Sequence, residues 1–300
     1  MPRALLIADL EGVAGVEALG ALIAGDAAHA AACEAMTAEV CAAVEGLRAA
    51  GYDAVRVSDS HRSGSGRLNV DPFRVAAELR FEDDLYGGAL LDDVAVVAAV
   101  GMHAAGGTRG FGAHTVDLHT AWQWGEALLS ESEVAFGLAA ERGVPALYSA
   151  GDDVLRRSLR GLRYVETKRS RGPSTCRSAT AAAVHAALRE AALATPALRP
   201  LPARRRLALH FKREAHADAA AGAGARRDSP FTVSLPAARF TDSYHRALEV
   251  IAATAPLVRE ELTGAADLVA AATGLLTAAF PSLQRSRRRT RSRSEADRLT

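Results

Sequence analysis

The side chains best equipped for chemistry stand directly behind short apolar runs. Asp9 and Glu11 follow the run Ala4–Ala8 (ALLIA), Asp59-Ser60-His61 closes a run that begins at Ala54, and His103 comes just after Val94–Val100 (VAVVAAV). Each group alone has an ordinary explanation: a DxE after a strand caps a turn, and a lone histidine is usually a satisfied structural one. Together they would bring several charges and two imidazoles to one edge of an otherwise apolar sheet, which is costly without a compensating cation. Carboxylate oxygens and imidazole nitrogens without thiolates suit zinc, manganese or another borderline divalent ion. Two carboxylates and two histidines exceed the three protein ligands of a mononuclear catalytic zinc. The set therefore points to two metals sharing a bridging carboxylate.

Further candidates follow. Gly106–Gly112 (GGTRGFG) lacks the Gly-Lys-Ser/Thr ending of a phosphate-binding loop and leads into His114, with His119 five residues on. A histidine there can protonate a reacting group or simply face solvent. Glu126, Glu131 and Glu133 compete as additional acidic ligands, and spacing does not choose among them. Asp152 and Asp153 end another apolar run, where capping of backbone amides is the favoured role and binding of a substrate amine the alternative. Trp122 and Trp124, the only tryptophans, alternate as on a strand with one packed face.

The elements that must position these residues read as a buried sheet. Four unbroken apolar strands, Ala4–Asp9, Ala54–Val57, Val94–Val100 and Val144–Ser149, alternate with helical stretches, the longest from about Asp26 to Ala50 before Gly51. That pattern predicts an α/β fold with a mostly parallel sheet flanked by helices, and ligands bind at the carboxyl ends of such strands. Cys176–Ala194 reads as one more helix, and Pro196–Ala203 (PALRPLPA) as a linker. Beyond it, strands at Arg205–Phe211 and Pro230–Leu235, a helix at Phe240–Thr254 capped by Thr241 or Asp242, and a helical pattern over 257–275 predict a second, smaller α+β domain. The expected division is 1–195 for the metal-binding domain, 196–283 for the smaller one and 284–300 for a disordered Arg/Ser tail.

Composition sets the outer limits. Of 300 residues, 49% are hydrophobic and 24% charged, which excludes a wholly disordered chain, while 5% aromatics leave the core to Ala, Val and Leu. No run approaches the roughly 20 apolar residues of a membrane span. The start MPRALLIADLEG lacks a secretory signal's apolar stretch and cleavage site, and three scattered cysteines make no disulfide framework, so a cytoplasmic protein is expected. The formal net charge of +1 conceals a split. Without the seven arginines and two acids of 285–298 the chain keeps 29 basic and 33 acidic residues, so an acidic body carries a basic tail. Only two lysines occur, Lys168 and Lys212.

With these residues in hand, ADLEGVAG (8–15), SDSH (58–61), GMHA (101–104), AHT (113–115) and VPALYSAGDD (144–153) resemble, in order and separation, the zinc-dependent D-aminopeptidase family of bacterial dipeptide metabolism. The likeness runs over roughly residues 3 to 255. It implies that Asp9 bridges two zinc ions with Glu11 as its partner ligand, and that His61 and His103 each serve one metal. Counting back from the GDD block, the fifth ligand is Glu131. Here the chain reads Ser130-Glu131-Ser132-Glu133 where the family has a glycine before its glutamate, and a two-residue slip would choose Glu133. His114 matches the family's catalytic histidine. Because a dinuclear site already activates water, His114 is better cast as proton shuttle or donor to the tetrahedral intermediate than as nucleophile. Lys168 falls where the family carries a lysine, either on the surface or as a partner for a substrate carboxylate.

The resemblance implies hydrolysis of an amide or peptide bond next to an N-terminal small amino acid, D configuration included. It also implies two Zn2+ per chain (with Mn2+ as a substitute) and a homo-oligomeric ring whose interior holds the sites. No membrane partner is expected. Competing readings keep the scaffold for a pathway-specific amidase or amide-forming enzyme, or for a dinuclear phosphoesterase. Another makes the arginine tail a nucleic-acid-binding device, against which stand the acidic body and the lack of any nucleic-acid-binding motif.

Overall fold

The computed structural model describes residues 2–61, 68–80, 84–263 and 267–284. In chain order the elements are β1 (Arg3–Ala8), α1 (His29–Ala49), β2 (Ala54–Asp59), β3 (Glu78–Arg80), β4 (Val94–Met102), β5 (Thr120–Trp124), β6 (Ala127–Leu129), α2 (Glu131–Glu141), β7 (Ala146–Asp152), β8 (Arg163–Gly172), β9 (Thr175–Ser178), α3 (Ala181–Ala191), β10 (Leu207–Phe211), α4 (Glu214–Gly222), β11 (Arg226–Ser229), β12 (Thr232–Leu235), α5 (Phe240–Ala252), α6 (Ala255–Thr263) and α7 (Leu268–Thr277). Contacts divide them into two units, 1–113 with 130–202, and 114–129 with 203–300.

The first unit is the α/β fold that the apolar runs predict. Its seven-stranded sheet has the order β3-β2-β1-β4-β7-β8-β9, parallel throughout except for β9. β1 and β4 are buried along nearly their whole length because both sheet faces are covered, which is why they read as unbroken runs rather than as alternation. The chain leaves β1 for β2 on one side and returns to β4 on the other. The β1/β4 junction is therefore the switch point where such sheets open a crevice at their carboxyl ends. Helix α1, rich in alanine, ends as expected at Gly51, whose φ of 93° lets Tyr52 N and Gly51 N bond back to Leu47 O and Arg48 O. The helix expected from Cys176 starts only at Ala181, because Thr175–Ser178 turn back along β8 as β9.

The second unit is built on an antiparallel sheet, β11-β12-β10-β5-β6, with α5 against it. Segment 114–129, which a linear division at 195 leaves with the first domain, enters this sheet because β5 pairs with β10 from Leu207↔Trp124 to Phe211↔Thr120. Trp122 and Trp124 do share one packed face, against Tyr244 and Phe240 of α5. That helix is entered through Arg239 without a side-chain cap, so the expected capping by Thr241 or Asp242 does not occur. The helical pattern over 257–275 resolves into α6 and α7. Of the arginine-rich tail, residues 285–300 lie outside the described residues, as do 62–67. No helix among the described residues is long and apolar enough to cross a membrane.

Candidate metal centre

Three neighbouring strands deliver the candidate residues to one crevice of the first unit. Asp9 and Glu11 leave β1, His61 leaves β2 and His103 leaves β4, while Glu131 opens α2. Asp9, Glu11 and His61 bring ligand atoms within 4.8 Å of one another, and so do Asp9, His103 and Glu131. Asp9 belongs to both groups through different oxygens: Oδ1 lies 3.5 Å from His61 Nδ1 and Oδ2 lies 3.4 Å from His103 Nε2. His61 Nδ1 also faces Glu11 Oε2 at 3.0 Å, and His103 Nε2 faces Glu131 Oε1 at 3.5 Å.

Both imidazoles are anchored by the main chain. A carbonyl can only accept, so His61 Nε2–H donates to Leu22 O (2.9 Å) and His103 Nδ1–H donates to Ala104 O (3.0 Å). The other nitrogen of each ring faces the carboxylates, and a main-chain carbonyl on the far nitrogen is the usual anchor of a metal-ligating histidine. Asp9, Glu11 and Glu131 are each 3% exposed and His103 is fully buried. Burial, with Glu11 beside it, pushes the Asp9 carboxyl up to about 8. Burial alone would depress His61 and His103, but the surrounding carboxylates raise both. Without a cation, the cluster can hold its charges only by keeping protons.

Ser130-Glu131-Ser132-Glu133 becomes legible at the start of α2. Ser130 is the N-cap, its hydroxyl accepting from Glu133 N, while the Glu133 carboxylate accepts from Ser130 N (2.9 Å). This reciprocal capping occupies Glu133. Glu131, at the first helical position, is the acid beside Asp9 and His103. Glu126, by contrast, sits in the β5–β6 turn of the second unit.

The loop after β1 is tied down at almost every residue. Gly12 N donates to Gly101 O (2.7 Å), and a Cβ at Gly12 would stand 1.9 Å from Met102 O, so the close approach of the two strand ends needs glycine here. Ala14 N donates to the buried Glu39 carboxylate (2.7 Å), and burial pushes that carboxyl up to about 7. Lys168 is not a surface lysine. It is buried on β8, stacked over Phe111, and its Nζ donates to Glu11 O (2.6 Å) and Val16 O. Burial lowers its pKa. A Lys168→Met protein keeps the aliphatic stem but leaves two carbonyls without their charged donor, which we expect to cost about 2–4 kcal/mol of metal-free stability. Urea unfolding measures it; a midpoint unchanged from the parent would show that the clamp contributes nothing.

Other sequence candidates turn out to be supports. Asp152 accepts from Val154 N, Leu155 N and, through its other oxygen, Ala104 N (3.0 Å), so it caps a turn and fixes the residue next to His103. Asp153 accepts from Ser170 N, and Asp59 accepts from the Asn69 side chain and from Val70 N. His114 opens the second unit's first segment, half-buried, immediately after the glycine-rich loop. His119 is locked between Asp117 Oδ1 (2.5 Å) and Thr254 Oγ1 (2.8 Å) and serves the turn rather than solvent or substrate. Sequence reading missed Tyr86, whose buried hydroxyl donates to Glu131 Oε2.

The family model of the D-aminopeptidases, a peptidase family, matches residues 3–250. The chain belongs to the D-aminopeptidase family. Comparison with curated proteins returns no match. Among solved structures, the fold is similar to that of the Zn-dependent D-aminopeptidase DppA from Bacillus subtilis, described as a self-compartmentalizing protease. The TM-score is 0.77 at 20% identity, over 85% of this chain and 98% of that one. As a D-aminopeptidase family member the chain is a hydrolase of the peptidase class, on the α/β fold with a second antiparallel sheet that the two proteins share.

Proposed function

We propose that this D-aminopeptidase family member hydrolyses the peptide or amide bond next to an N-terminal small amino acid, D configuration included, at a dinuclear zinc site. In this reading Asp9 would be shared by the two ions, which Glu11 and His61 would hold on one side and His103 and Glu131 on the other. The observation that carries it is the division of the Asp9 carboxylate, one oxygen toward each main-chain-anchored imidazole. A donor set of oxygens and imidazole nitrogens without thiolate fits zinc and admits Mn2+. The buried Asp9 Oδ2, which has no hydrogen-bond partner among the described residues, is the atom that a cation would satisfy.

Zinc held there supplies the Lewis acidity that attack of water on an amide needs at neutral pH. The chain's own residues do the rest. Three buried carboxylates supply the negative charge that retains divalent ions, and the two carbonyl-anchored imidazoles keep their second nitrogens aimed into the same crevice. The protons that Asp9, His61 and His103 hold in the metal-free protein would have to leave for them to ligate, so metal affinity would climb with pH. His114, matching the family's catalytic histidine, delivers a proton from its imidazole to the departing amine nitrogen. Three free, half-buried cysteines suit a reducing cytoplasm. We extend to this chain the self-association described for DppA.

The test is metal content by elemental analysis, together with turnover of a panel of D- and L-amino acid amides and dipeptides before and after chelation. We expect about two zinc equivalents per chain, activity on small N-terminal residues, its loss on chelation and its return with Zn2+. A protein that takes up no divalent metal and cleaves none of the panel would overturn the reading.

A further inference from the structure

The carboxylate of Glu131 is divided in the same way as that of Asp9, but between a site group and a phenol. Its Oε1 lies 3.5 Å from His103 Nε2, whereas Oε2 accepts the hydroxyl of Tyr86. Tyr86 is fully buried, and the segment that carries it is fixed from two sides. Asp84 Oδ1 accepts from Gly87 N (2.8 Å), closing the turn around the tyrosine. From β2, Ser58 Oγ donates to Leu85 O (3.2 Å) and the Arg56 guanidinium donates to Ala89 O, Leu90 O and Asp92 O. The phenol thus reaches Glu131 from a braced loop, while Glu131 is held from the other side by the capped first turn of α2. A tyrosine in a stretch without regular pattern gives no such signal in sequence.

We propose that Tyr86 is a positioning residue of the metal centre. By committing Oε2 of Glu131 to a hydrogen bond, it leaves Oε1 alone to ligate and fixes the direction in which that oxygen points. The proposal rests on the dinuclear reading above. Partners of this kind, which orient a ligand without touching the ion, change metal affinity about 10–100-fold when removed. Tyr86→Phe removes one oxygen and keeps the packed ring, so the fold has little to lose.

The experiment uses the full chain, measuring zinc affinity by competition with a chromophoric chelator and the visible spectrum of the Co2+-loaded protein. For Tyr86→Phe we expect one of the two affinities to fall about 10–100-fold, the other to hold, and the cobalt bands to shift as Glu131 gains freedom to ligate through both oxygens. In a Glu131→Gln background the same change should have no further effect, because the phenol acts through that carboxylate. Unchanged affinities with an unchanged cobalt spectrum overturn the role of Tyr86 and leave the dinuclear reading standing, as does an equal loss in the Glu131→Gln background. A parent protein that binds no divalent metal overturns both.

Discussion

An Asp9→Ala protein loses both metal ions, not one. Asp9 belongs both to the group with Glu11 and His61 and to the group with His103 and Glu131, and each of its oxygens faces a different imidazole. Without it, Glu11 and His61 form one pair and His103 and Glu131 another, fewer than the three protein ligands that a catalytic zinc site provides. The effect on the metal-free fold runs the other way. The Asp9 carboxyl is pushed up to about 8 by burial and by its acidic neighbours, so without metal it is an expense to the folded state rather than a support. The metal-free variant should therefore melt no lower than the metal-free parent, while added zinc raises the melting temperature of the parent alone. Elemental analysis after dialysis and paired thermal melts check this. Two metals retained per chain would remove Asp9 from the bridging position.

What the sequence disclosed follows from how a parallel sheet is built. A strand buried on both faces must be an unbroken apolar run, and the residue after it must lie at the crevice. Asp9, His61 and His103 were visible for that reason. Glu131 was harder to place, because two glutamates within three residues answer to different demands. Only the reciprocal capping by Ser130 and Glu133 separates the helix-forming acid from the one left facing Asp9 and His103. Lys168 and Tyr86 were opaque for a further reason. The Lys168 strand reads RYVETKRSRG, a polar sequence whose alternation hides one ammonium turned inward onto the Glu11 carbonyl. Tyr86 meets Glu131 across 45 residues of chain. Supports of this kind are decided by which side chains tertiary packing brings together, and spacing carries no trace of them. The same holds for 114–129, whose membership of the second unit depends on pairing with a strand some 80 residues later.

His114→Ala should lower turnover by about two to four orders of magnitude, the usual contribution of a positioned acid or base, while metal content stays at the parent level and KM changes little. The turn behind His114 is built to hold still. Val116 adopts a φ of 68°, a left-handed conformation that costs a β-branched residue about 1–3 kcal/mol. It is sustained by Thr115 N to Thr120 O (3.0 Å), Thr120 N to Asp117 O (2.8 Å) and the Thr115 hydroxyl to Leu129 O (2.8 Å). Burial alone would raise the Asp117 carboxyl, but the imidazoles of His119 and His114 hold it below its usual range. Alanine at 114 removes the proposed proton donor and leaves Asp9, Glu11, His61, His103 and Glu131 in place. The discriminating measurement is elemental analysis on the same sample used for kinetics. Lost activity with full metal content assigns His114 to proton transfer. A fall in both would make it a ligand, and unchanged turnover would remove it from the chemistry altogether.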